Sequence, residues 1–187
     1  MAFEFTVSIS DQELSLFMDA MKRAEQRAAG KTAQQVLDEA AKTFAGSQSQ
    51  QMPEFVRSRL AAVENLIAMA ADEGWALAEE DRSRIVSALA YFSDPEDLIP
   101  DSAPVLGYLD DAIMIEVVQT VLQPEIEAYA DFCNFRSAEA QARGADAGKL
   151  GREEWLETRR AELQARMRHR RQSYAPSGGW TPHFKFR

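Results

Sequence analysis

The stretch "PEFVRSRLAAVENLIAMAA", residues 53–71, decides the fold class. Val56, Leu60, Val63, Ile67 and Ala70 recur at alternating spacings of four and three, which lines one face of an α-helix and cannot line one face of a strand. Pro53 suits the first turn, where its missing amide costs nothing, and the pattern breaks near Gly74. The same period extends outward in both directions. Upstream, Thr32 is placed to cap a helix that turns Val36, Leu37, Ala40, Ala41 and Phe44 inward and ends at Gly46. Before it, Ser10 and Glu13 have capping-box spacing, and Leu14, Phe17, Met18 and Met21 form a stripe that stops at Gly30, read here as a left-handed terminator. Downstream, a helix is predicted from Glu79 to Phe92, with Ile85, Val86 and Leu89 inward. Residues 112–122 are apolar around most of their circumference, which marks a buried, central helix. Pro124 is expected to end it and to open another helix carrying Ile126, Tyr129, Ala130 and Cys133 on one stripe. A last helix, from Arg152 to about residue 174, has a narrow apolar stripe of Trp155, Leu156, Leu163 and Met167 among many arginines.

One segment departs from this period. In "FEFTVSIS" the residues Phe3, Phe5, Val7 and Ile9 alternate with Glu4, Thr6, Ser8 and Ser10, a strand pattern. A lone strand must find a partner, either the tail "HFKFR" or the same strand of a second copy, and a homodimer through it is the favoured expectation. The predicted fold is thus mostly α, a helical bundle around a buried central helix, with a short N-terminal β-strand and an extended C-terminal basic helix. Three regions are expected: a strand–helix–helix segment over 1–46, a helical core over 52–143 and a basic helix with tail over 152–187. The polar run "GSQSQQ" separates the first two, and "RGADAGKLG" the last two.

Composition bounds the function classes. A chain of 187 residues with 45% hydrophobic and 27% charged residues has globular proportions. Its single cysteine, Cys133, excludes an internal disulfide and suits a reducing compartment, and "MAFEFTVSIS" lacks the features of a secretory signal. A cytoplasmic location is expected, without a membrane role, because "AIMIEVVQTVL" is too short to span a bilayer. Charge is uneven: residues 1–151 hold 12 Lys and Arg against 26 Asp and Glu, whereas 152–187 hold 9 against 4. The acidic body repels phosphate backbones, and the strand that would read bases carries no Arg or Lys, so nucleic acid is disfavoured as a partner. The arginine-rich tail, with Arg166, Arg168, Arg170 and Arg171, is the candidate contact for a protein partner.

The acid-rich stretch "SDPEDLIPDSAPVLGYLDD", residues 93–111, is the remaining candidate for chemistry. Asp94 can cap a turn opened by Pro95 with Asp97 at its third position, Asp101 can close an Asx-turn, and Asp110 with Asp111 suit the positive end of the next helix. The larger segment "YFSDPEDLIPDSAPVLGYLDDAIMI", residues 91–115, resembles the YkvA-like domain, a bacterial domain of unknown function. The matching positions are Pro95, Asp97, Leu98, Ile99, Pro100, Asp101, Pro104, Leu106, Gly107, Asp110 and Asp111. The resemblance implies no reaction or ligand. Many members of that family are more apolar than this chain, and Glu116 with Gln119 argues against carrying a membrane role over.

Against capping stands a cation reading. Asp97, Asp101, Asp110 and Asp111 could supply oxygen ligands to Mg²⁺, Mn²⁺ or Ca²⁺, and close carboxylates repel unless a proton or cation intervenes. The EF-hand spacing is absent, and no other cofactor is expected. Cys133, His169 and His183 lack partners at catalytic or metal-ligand spacing, and no Gly-x-Ser-x-Gly elbow or phosphate loop occurs, so no catalytic residues are assigned. The expectation is a soluble, non-enzymatic helical module acting through protein contacts. The alternatives are a cation-binding protein or metal-dependent hydrolase centred on the acidic loop, and a nucleic-acid-associated protein using the C-terminal arginines.

Overall fold

The structure, a computed structural model, describes residues 6–8, 10–96, 98–99, 107–144, 154–173 and 183–185. Seven helices account for most of them: α1 (Asp11–Arg27), α2 (Ala33–Ser47), α3 (Glu54–Leu60), α4 (Ala62–Ala71), α5 (Glu79–Phe92), α6 (Leu109–Arg143) and α7 (Glu154–Ser173). The expected fold class is corrected on one point. Among the described residues the architecture is helical, and the N-terminal β-strand expected over residues 3–9 is not an element of it; residues 3–5 and 9 lie outside the described residues. At that end the described residues Thr6–Ser8 are set against His183–Lys185 of the same chain. A pair of three-residue segments is too short to stand as an independent sheet, since even a full two-stranded hairpin is only marginally stable in water.

Local signals are realised where they are strong. Thr32 caps α2 in a complete capping box: its hydroxyl accepts from the Gln35 amide, and the Gln35 side chain accepts from the Thr32 amide. Glu79 and Phe92 bound α5 as the period requires. The stretch that announced the fold forms two helices, broken at Ala61, which itself keeps helical angles and donates to the Arg57 carbonyl. Its apolar face is buried at Val56, Leu60, Val63 and Ala70.

Four further expectations are corrected. Gly30 does not adopt a positive φ; the left-handed terminator is Gly144, at φ 64°, whose amide closes the end of α6 on the carbonyls of Ala140 and Gln141. Ala41 is exposed rather than inward. Pro124 neither ends nor opens a helix, because α6 runs through it for 35 residues. A proline inside a helix costs about 3 kcal/mol or more. Here burial on both sides offsets that cost, with Leu122 before it and Glu125, Ala128 and Phe132 after it on the packed face. That face lies beside the expected stripe, since Ala130 is exposed and Ile126, Tyr129 and Cys133 are half-buried.

One apolar cluster runs through all seven helices. The first half of α6 is buried, as its composition implies, and α6 packs against α3, α4, α5 and α7, while α5 packs against α1, α2, α4 and α6. Both ends of α5 therefore carry loops that lie against other helices, and these loops hold the polar groups of interest.

Candidate functional site

The C-terminal loop of α5 is assembled from its buried aromatic end. Tyr91 and Phe92 face the core, and the Ser93 amide and hydroxyl close the helix on the Leu89 carbonyl. Asp94 does not open a helix, as the capping reading required. It accepts the Glu96 amide in a short turn and pairs with Arg27 at the end of α1. Farther on, the Tyr91 hydroxyl receives the Leu98 amide at 3.3 Å and donates to Oδ2 of Asp110 at 2.7 Å. The same Oδ2 accepts the Ile99 amide at 3.0 Å. Asp110 thus clasps the loop onto the start of α6.

Asp110 and Asp111 are each 1% exposed, in the first turn of α6, where the helix dipole favours negative charge. The residue before that helix, Tyr108, is held at φ 64°, with its ring against Phe92 and its hydroxyl accepting from Gln50. Left-handed backbone is costly for an aromatic residue, so packing must hold it there. Burial, and then the hydrogen bond to the Asp110 carboxylate, pushes the Tyr91 hydroxyl above the ordinary phenol range.

Of the four carboxylates proposed as ligands, Asp110 and Asp111 sit side by side in the sequence and are both buried, while Asp97 and Asp101 lie outside the described residues. Among the described residues no three His, Cys, Asp or Glu side chains are grouped to hold a metal. Oδ1 of Asp110 is buried without a hydrogen-bond partner among them. Of the four arginines, Arg166 and Arg168 are exposed on α7, and the side chains of Arg170 and Arg171 lie outside the described residues.

Beside the clasp lies a hollow of about 180 Å³ between α1, α2 and the loop. Its lining combines apolar residues, among them Ala24, Ala28, Val36 and Ala90, with the charged Arg27, Lys31, Glu39, Asp94 and Glu96. Lys31 and Glu39 pair across 2.5 Å. Leu98, 44% exposed, belongs to the same loop.

The opposite end of α5 carries a second polar centre that periodicity did not reveal. In the α4–α5 loop, Oδ1 of Asp72 accepts the amides of Gly74 and Trp75, at 2.9 and 3.2 Å. Arg136 of α6 pairs with this carboxylate at 2.7 Å, and the Tyr129 hydroxyl donates to it at 3.1 Å. Trp75 is fully buried against Tyr129 and Phe132, and its indole donates to Glu125 at 2.9 Å. Burial works to lower the Arg136 pKa, but the Asp72 carboxylate outweighs it and the net shift is upward. Burial, the Cys133 thiol and Asp72 push the Tyr129 hydroxyl upward as well. The sequence signals were a lone tryptophan in a short loop and an Asp-x-Gly turn; their partners stand 50 to 64 residues away.

No helix among the described residues is long and apolar enough to cross a membrane. No curated protein and no solved structure matches the chain. Residues 81–116, which comprise most of α5, the clasped loop and the first turns of α6, match a family model described as "Protein of unknown function (DUF1232)".

Proposed function

We propose that this chain is a non-enzymatic helical module that acts through protein contacts, and that the YkvA-like stretch supplies the contact surface. The observation that carries this reading is the hollow beside the clasped loop. Its volume of about 180 Å³ is below the roughly 300–1,000 Å³ of small-molecule pockets. It suits an apolar side chain of a partner, with charged groups in the lining to set orientation. Tyr91 and Asp110 support the reading by holding the loop against α6, which lowers the entropy lost when a partner binds it.

Ala28→Phe fills the hollow from its half-buried wall. In affinity capture from the native host, this variant should lose the proteins retained by the wild type. Its stability should stay within about 0.5 kcal/mol of wild type, as for most surface substitutions. Retention of the same proteins by a folded Ala28→Phe chain would sink the proposal.

A second reading, a divalent cation held by Asp97, Asp101, Asp110 and Asp111, is favoured by the unpartnered Oδ1 of Asp110 among the described residues. A cation at 100 times its Kd would raise stability by about 2.7 kcal/mol. Melting in EDTA against millimolar Mg²⁺, Mn²⁺ or Ca²⁺ tests it, and the effect should vanish in Asp110→Asn. Identical melting in all four solutions removes this reading.

A further inference from the structure

The helix α7 meets the rest of the molecule along one face. Leu156, Leu163 and Met167 are buried there at spacings of seven and four, which place them on one stripe. Beside this stripe, the Arg159 guanidinium lies over the Phe135 ring of α6, 5.5 Å from its centre. Arg160 donates to the Gly74 carbonyl at 3.0 Å, and the Gln164 amide donates to the Trp75 carbonyl at 3.1 Å. Within α7, Glu162 pairs with Arg159 and Glu157 with Arg160, which steadies both arginines on the helix.

The surface that receives α7 is built without it. Asp72 holds the amides of Gly74 and Trp75, while Arg136 and Tyr129 hold Asp72. Glu125 fixes the indole of Trp75, and Ala76 adopts φ 50° at the end of the turn. All these groups belong to α6 and to the α4–α5 loop. Two loop carbonyls and an aromatic ring are therefore presented by a framework to which α7 contributes no residue. The joint itself has the chemistry of an interface between proteins, with arginine, methionine, an aromatic ring and hydrogen bonds to backbone. Charge agrees: α7 carries six arginines against three glutamates, and residues 1–151 carry 26 acids against 12 bases.

We propose that α7 is an intramolecular ligand, and that the groove between α6 and the Asp72–Leu77 loop is a receptor for an arginine-bearing amphipathic helix of a partner protein, which α7 occupies until displaced. The partner helix would repeat α7's pattern. Counting Leu156 as i, it needs apolar residues at i, i+7 and i+11, arginines at i+3 and i+4, and an amide side chain at i+8. Helix-in-groove recognition of this kind uses apolar anchors for affinity and flanking polar groups for register. Tethering places α7 at a high local concentration, so a free helix binds the intact chain far more weakly than a chain whose own helix is released.

The test uses the full chain and a fluorescent peptide of residues 154–173. Leu163→Asp puts a charge into the buried stripe and releases α7, which loss of hydrogen-exchange protection confined to α7 reports. The peptide should bind this variant, and should bind wild type more weakly by about 10²–10⁴-fold, the usual gain from tethering. A peptide with Arg159→Glu and Arg160→Glu should not bind the variant. Should Leu163→Asp fail to fold cooperatively, the full chain with Arg159→Ala, Arg160→Ala and Gln164→Ala replaces it under the same expectations. The proposal is overturned if the peptide binds neither chain, if it binds both within threefold, or if charge reversal leaves binding unchanged. It is also overturned if wild type is a dimer whose α7 cross-links to the groove of the other copy.

Discussion

Each end of α5 carries a loop, and each loop is held by one aspartate on a different chemical basis. At the C-terminal end, Asp110 accepts from a tyrosine hydroxyl and from a backbone amide, all neutral donors. At the N-terminal end, Asp72 accepts two backbone amides and a tyrosine hydroxyl, and is also paired with the Arg136 guanidinium. The Asp72 centre is thus charge-compensated, and the Asp110 clasp relies on hydrogen bonds and the dipole of α6 among the described residues. The compensated centre should be the stronger of the two, and the clasp the more easily opened.

The sharpest way to break this comparison is to remove the cation. Arg136→Met keeps much of the side chain's bulk and leaves a mostly buried carboxylate without its counter-charge. Breaking one side of a buried pair typically costs about 3–5 kcal/mol. Asp72 and Arg136 retain 11% and 16% side-chain exposure, so the lower end, about 3 kcal/mol, is expected in urea unfolding. A loss below that of the next variant would reverse the ranking.

Tyr91→Phe deletes the neutral clasp while keeping the ring in the core. It removes the donor to Asp110 and the acceptor of the Leu98 amide, so about 1–3 kcal/mol should be lost. The two effects should also be additive within about 0.5 kcal/mol if the loops act independently across α5. Strong coupling in a double variant would show that α5 transmits strain from one loop to the other.

Alkaline pH tests what the centres share. Tyr91 and Tyr129 both have hydroxyl pKa values raised by burial first, so the folded state retains protons that the unfolded state loses. Above about pH 10, the ordinary phenol value, the unfolded chain binds fewer protons than the folded one. Stability must then fall as pH rises, by about 1.4 kcal/mol per pH unit for each tyrosine, and it is fully retained below that point. Tyr91→Phe and Tyr129→Phe should each reduce the slope of unfolding free energy against pH by one proton. An unchanged slope in either variant would deny that tyrosine its place in its aspartate centre.

The smallest expected effect is a gain. Ala76 carries φ 50° in the Asp72 loop, a conformation that costs an L-residue roughly 1–2 kcal/mol. Ala76→Gly should relieve part of that strain, less the entropy glycine loses on folding, for a net stabilisation of about 0.5 kcal/mol. A loss of stability would mean that the Ala76 methyl contributes packing that outweighs the strain.

These two centres were unequally legible. The Asp110 clasp lies in a run of acids and prolines, and the pair opening α6 could be placed from the dipole alone. Its tyrosine lies only 19 residues away, at the end of a helix with clear period. The Asp72 centre left no such run: one aspartate before Gly74 reads as an ordinary turn, and Arg136 reads as one charge among many on a long helix. Only packing of α6 against that loop brings them together.

By itself the sequence determined where most of the helices lie, because an apolar stripe at period 3.6 and a capping residue such as Thr32 act over a single turn or a few. It also determined that a helix would end at Phe92 and that α7 would present a narrow apolar stripe. The tertiary structure alone decided that Pro124 would sit inside one long helix, that α5 would pack against four other helices, and that α7 would dock on the Trp75 loop. Each of these is a contest between a local cost and burial against a distant partner, and burial against a partner dozens of residues away cannot be read from neighbours in the chain.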